Sequence, residues 1–131
     1  MNLAYLWVAF GGALGSVGRF WLGGLIAERS GHTFPLGTLA INVTGSFLIG
    51  LFASLNDVEG RVWAAPGFRQ FFMIGICGGY TTFSTFSLET LNLARDGEFL
   101  YAGGNVVLSV ALCMIAVWLG WLLGSVFNST K

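Results

Sequence analysis

Between Gly75 and Ser87 the chain reads Gly-Ile-Cys-Gly-Gly-Tyr-Thr-Thr-Phe-Ser-Thr-Phe-Ser, crowding glycines, hydroxyls and two phenylalanines into an uncharged stretch that runs from Gln70 to Leu88. Adjacent glycines followed by Thr-Thr weaken an α-helix. The pattern therefore predicts a break around residues 76–82. A broken helix offers two ion sites from its own backbone. The half ending near Gly78 presents unpaired carbonyls to a cation, and the half starting near Thr82 presents N–H groups and a positive dipole end to an anion. A packing kink, with the hydroxyls bonded back to the preceding turn, is the competing reading.

Phe83 and Phe86 are three apart and share a helix face, with Ser84, Thr85 and Ser87 beside them. Ring edges carry partial positive charge, so edges turned to a cavity favour a small anion without trapping it as a lysine would. Two further polar stripes sit at helical spacing: Thr38 with Asn42, and Tyr101 with Asn105 and Ser109. Such residues serve either as hydrogen-bond glue between membrane helices or, taken together, as a ladder of uncharged donors. Arg19 is the one basic residue inside an apolar stretch, where charge is costly and marks function. It either snorkels to the headgroups or concentrates anions at a vestibule. Glu89 either pairs with Arg19 or sits at the far interface.

There is no nucleotide-binding glycine loop, no His/Cys metal cluster and no Ser/His/Asp set, and the only histidine is His32. These absences argue against an enzyme. No carboxylate lies near the middle of the first, second or fourth apolar stretch, which argues against a proton-driven pump.

The elements that must position these residues follow from composition. The 131 residues are 55% hydrophobic and only 9% charged, against roughly 25% charged in a soluble domain. Mean hydropathy is +0.76. Charged residues bound four apolar stretches, and about 20 apolar residues cross a bilayer as a helix. The expected fold is thus all-α, a single domain over residues 1–131 with four transmembrane helices at 3–27, 35–56, 68–94 and 99–127, the third broken at mid-membrane. Arg19 and the lack of a basic start argue against a cleaved secretory signal. Cys77 and Cys113 lie in apolar stretches, as buried thiols would.

Four crossings put Arg61, Arg69 and Lys131 on one side and Arg29 and Arg95, with Arg19 near them, on the other. The Lys/Arg bias that sets orientation is nearly absent, so both insertions are permitted. Net charge is zero, which suggests no nucleic-acid partner. Trp7, Trp63, Trp121 and Tyr5 fall near the expected interfaces. Gly11/Gly15, Gly75/Gly79 and Gly120/Gly124 recur at the spacing that lets helix backbones approach. That pattern predicts tight association, extending to a partner chain.

Three segments carry a family resemblance: Gly11-Gly12-Ala13-Leu14-Gly15-Ser16-Val17-Gly18-Arg19-Phe20; Gly37-Thr38-Leu39 with Asn42-Val43-Thr44-Gly45-Ser46-Phe47; and Gly78-Gly79-Tyr80-Thr81-Thr82-Phe83-Ser84-Thr85-Phe86. Together they resemble the small fluoride channels called Fluc or CrcB, over essentially the whole chain. The resemblance implies an antiparallel, dual-topology homodimer with two pores that pass fluoride passively out of the cytoplasm, multi-pass in the plasma (inner) membrane. It implies that Phe83 and Phe86 line the pore with Asn42, and that Ser84, Thr85, Thr38, Tyr101 and Ser109 match the polar tracks. Asn105 stands where family members can carry serine. It further implies a structural sodium ion at the dimer centre, held by main-chain carbonyls of Gly78 and Thr81 from each chain. A dual-topology multidrug exporter is the rival of similar size, but it depends on a carboxylate in the first helix, and none lies between Met1 and Ala27.

Overall fold

The computed structural model describes residues 2–57 and 64–130. Arg61, Trp63 and Lys131, invoked above for charge balance and interface position, lie outside the described residues. Helix α1 spans Leu3–Ser30 and α2 spans Leu36–Leu55. The third crossing, Pro66–Arg95, has two parts, α3a over residues 66–80 and α3b over Phe83–Arg95. Helix α4 spans Phe99–Ser129. All four crossings are long and apolar enough to traverse a bilayer, so the chain is a multi-pass membrane protein.

The boundaries have local causes. Gly31 takes φ 78, a left-handed conformation that stops α1. Pro66 opens α3a, where its missing N–H costs nothing. Gly97, at φ 82, closes α3b: its N–H bonds the Ala94 carbonyl at 3.1 Å, and the Glu98 N–H bonds that of Leu93 at 2.8 Å.

Helix α1 packs along α3a and α2 packs along α4; contacts between α1 and α2 and between α3b and α4 join the pairs. The glycines at helical spacing make both main crossings. A Cβ on Gly11 would stand 2.8 Å from the Gly75 Cα, and one on Gly79 would stand 2.6 Å from the Gly12 carbonyl oxygen. On α4, a Cβ on Gly120 would meet the Leu51 nitrogen at 2.9 Å, and one on Gly124 would meet the Ser54 Cβ at 2.6 Å. These distances are shorter than side-chain carbons tolerate, so the absent side chains are what allow the contact. All three glycine pairs are used inside one chain and need no partner chain to explain them.

The break is narrower than the sequence suggests. Gly78 and Gly79 remain helical, and only Thr81 (φ −81, ψ 158) and Thr82 (φ −153, ψ 115) are extended. Gly79 is there for its approach to α1, not to end the helix. Residues Gln70–Cys77 are wound as a π-helix, and the Gly78 N–H reaches back to the Met73 carbonyl. The extra residue per turn in such a segment re-aims the side chains that follow it.

Candidate functional site

Thr82 is buried at the break, and its backbone has lost its helical partners. Asn42, on α2, supplies both: its Oδ1 accepts the Thr82 N–H at 2.8 Å, and its Nδ2 donates to the Thr82 carbonyl at 3.0 Å. The Thr82 hydroxyl oxygen then caps α3b by accepting the Thr85 N–H at 3.2 Å. The same hydroxyl donates to Thr85 Oγ1 at 3.0 Å and lies 3.4 Å from Ser84 Oγ. The Thr81 hydroxyl bonds back to the Cys77 carbonyl at 2.8 Å. The back-bonded arrangement weighed from sequence is therefore real at Thr81, but it accompanies a break and not a simple kink.

One groove of about 400 Å³ opens beside the break. Asn42, Gly78, Thr81, Thr82, Phe83, Phe86 and Ser109 are among the residues that line it. The rings of Phe83 and Phe86 lie 5.2 Å apart at 55°, as their spacing of three requires. Phe86 is buried, whereas Phe83 is 77% exposed. The thiols of Cys77 and Cys113 are free and face the same groove.

A second, larger cavity of about 690 Å³ lies toward the α1–α2 loop and holds Arg19, Thr38, Thr85 and Glu89. The Arg19 guanidinium points inward, with Nη1 3.5 Å from the Thr81 carbonyl oxygen. Thr38 donates to Glu89 Oε1 at 2.8 Å. Arg19 and Glu89 thus share one cavity, each with a different neighbour. Thr82 and Thr85 line this cavity as well, and Thr82 lines both spaces.

On α4, Asn105 is 1% exposed and sits in a directed hydrogen-bond chain. Thr90 donates to the Phe86 carbonyl at 2.8 Å, so its oxygen accepts from Asn105 Nδ2 at 2.9 Å. The Asn105 Oδ1 then accepts from the Ser109 hydroxyl at 3.3 Å. The Ser109 proton is engaged in that bond, and its side chain lines the groove. Tyr101, one turn earlier, packs against Phe34 with ring centroids 6.1 Å apart. Ser84 is exposed and lines neither space.

The structure therefore brings Asn42, Phe83, Phe86 and Ser109 to one groove, and Thr38, Thr85 and Arg19 to another cavity. Asn105 lies behind the groove, and Tyr101 lies apart. Sequence reasoning did not single out the Thr82 side chain or Thr90. Thr90 follows Phe86 by four, a helical spacing that offered one signal. The bond of 2.8 Å between Thr44 Oγ1 and the Tyr80 hydroxyl was also missed, because those residues lie 36 apart in sequence.

Comparison with known proteins bears directly on this arrangement. A channel from Methylocella silvestris named fluoride-specific ion channel FluC is 55% identical over 127 residues, 97% of each chain. Channels of the same name from Rhodospirillum rubrum and Opitutus terrae are 60% and 58% identical, over 90% and 97% of this chain and 92% and 96% of theirs. The family profile described as CrcB-like protein, Camphor Resistance (CrcB), matches residues 6–121, which include the break, the residues lining both cavities and most of each crossing. The chain belongs to the CrcB-like family.

Proposed function

We propose that this protein is a fluoride-selective channel, not an enzyme, that conducts passively through two pores of an antiparallel homodimer in the plasma (inner) membrane. The observation that carries the reading is the groove beside the break, where Asn42, Phe83, Phe86 and Ser109 converge without a fixed charge. The relatives' shared name supplies the ion. Fluoride is small and strongly hydrated, so a selective path must replace its water with many donors and still release it. An oriented amide and ring edges meet that need. Thr38, Ser84, Thr85, Tyr101 and Asn105 complete the proposed polar tracks, and Arg19 would raise anion concentration in the larger cavity.

The dimer is supported by what a lone chain leaves uncovered. Phe83 is 77% exposed, and Ser84 and Thr85 are exposed beside it. Ser84, which lines neither space, would face hydrocarbon in a lone chain, and a second copy would cover it together with the Phe83 ring. Near-balanced loop charge permits the opposed insertion such a dimer needs.

The donor set at the break fits the sodium ion that the family implies. The Thr82 N–H, the helical partner of the Gly78 carbonyl, goes to Asn42, and the Thr85 N–H, that of the Thr81 carbonyl, goes to Thr82. Gly78 and Thr81 therefore each present a carbonyl oxygen free of its helical bond. Two such carbonyls from each chain would form an oxygen cage, with Arg19 withdrawing from its 3.5 Å contact with Thr81. When bound, the ion supplies positive charge that ties the broken helices of two chains together.

Ion efflux from liposomes containing the purified protein tests the function. Rapid fluoride release with chloride retained is the expected result. Equal release of both ions, or release of neither, refutes it.

A further inference from the structure

Two glycines at the break remain helical, so their flexibility does not open the helix. What distinguishes Thr81–Thr82 is the partner of its backbone. In a continuous helix the Thr82 N–H would bond the Gly78 carbonyl and its own carbonyl would accept from Phe86. Here both Thr82 groups are paired with one side-chain amide, at 2.8 and 3.0 Å. An amide presents one acceptor and one donor side by side, the same pair that a peptide unit presents to a neighbouring strand. Asn and Gln carry both on one planar amide, attached to the same carbon.

We infer that Asn42 is the positioning residue that holds the third helix open: its amide substitutes for the helix at Thr82 and thereby releases the Gly78 carbonyl. The inference deepens the channel reading, on which its functional consequence rests. Asn42 is half-buried and lines the groove, and the clamp uses one of its two Nδ2 protons. The second N–H is left with a direction set by Thr82. The clamp therefore orients the one Asn42 donor available to an ion, and couples that donor to the carbonyls at the break. A further contribution comes from Thr82 itself, whose hydroxyl engages the Thr85 N–H and so detaches the Thr81 carbonyl.

The test uses the full-length protein in lipid, with backbone ¹³C shifts of Thr81 and Thr82 read by solid-state NMR alongside fluoride efflux. Asn42→Leu keeps the volume and removes both polar atoms. The expected result is that the shifts of both threonines leave the extended range and fluoride efflux is lost. Shifts that stay extended, with or without loss of efflux, overturn the clamp. A loss of efflux in that case would make Asn42 a pore contact only. If Asn42→Leu does not fold, the wild-type protein still decides: dipolar recoupling between ¹⁵N at Asn42 Nδ2 and ¹³C at the Thr82 carbonyl reads the contact, and its absence refutes it. A wild type that passes no fluoride but whose threonine shifts depend on Asn42 would refute the channel reading and leave the clamp standing.

Discussion

Replacing Asn105 tests whether the α3b–α4 contact is held by a directed hydrogen-bond chain or by packing alone. Asn105 donates to Thr90 at 2.9 Å and accepts from Ser109 at 3.3 Å, in a place that water barely reaches. Interhelical hydrogen bonds in membranes contribute about 0.6 kcal/mol on average and about 1.7 at most, because the unfolded chain in lipid also finds partners. A double-mutant cycle with Asn105→Ala and Thr90→Val isolates one of the two bonds. The expected coupling is about 0.6–1.7 kcal/mol, a factor of about 3–18 in the unfolding equilibrium. Reversible unfolding in mixed micelles, followed by tryptophan fluorescence, supplies the four free energies. Asn105→Ala alone should cost more than the coupling, since it also leaves the Ser109 hydroxyl unpaired and opens a void. If the two substitutions add within about 0.3 kcal/mol, the bond contributes nothing and the chain that positions Phe86 has been misread.

Further outcomes follow from the same geometry. Gly120→Ala sets a carbon 2.9 Å from the Leu51 nitrogen, a backbone atom that cannot swing away, and should cost about 1–3 kcal/mol in the same unfolding assay. Gly103→Ala meets nothing within 4 Å and should be neutral or mildly favourable, so equal costs at the two sites would refute the close crossing of α2 and α4. Phe83→Ile combined with Phe86→Ile keeps an apolar lining but removes both ring edges. Fluoride efflux from liposomes should be abolished while size-exclusion chromatography still returns the wild-type assembly, and wild-type efflux would refute the ring-edge argument.

The four crossings were legible because charge is largely excluded from hydrocarbon: the expected helices lie within three residues of the observed ones at every end. The place of the break was legible for the same kind of reason, since Thr-Thr is a poor helix pair in an apolar run. Its cause was not. Gly78 and Gly79 looked like breakers because glycine is flexible, but both stay helical, and α1 crosses at Gly79 and requires it for close contact. The clamp that does interrupt the helix joins residues 40 apart in sequence, and no local pattern encodes such a pair. Tyr101 stands four before Asn105, the spacing of a further rung, and its ring packs against Phe34, a contact 67 residues away in sequence that no local pattern shows.

The break, the groove and the exposed face of α3b pose one physical problem. A helix interrupted in hydrocarbon must find partners for every freed backbone group. Asn42 and Thr82 meet that need for the Thr82 and Thr85 N–H groups, and they do so at the cost of leaving the Gly78 and Thr81 carbonyls without helical bonds. Those oxygens need a positive partner, and Arg19 approaches one of them, at the outer limit of hydrogen-bond reach for Thr81. Phe83 and its neighbouring hydroxyls, uncovered on the adjacent surface, need a protein face. A cation shared between two copies would answer the first need and the second copy itself the second. The proposed dimer is therefore the simplest state in which the interruption is fully compensated, and the anion path lies where that compensation leaves only ring edges and one oriented amide.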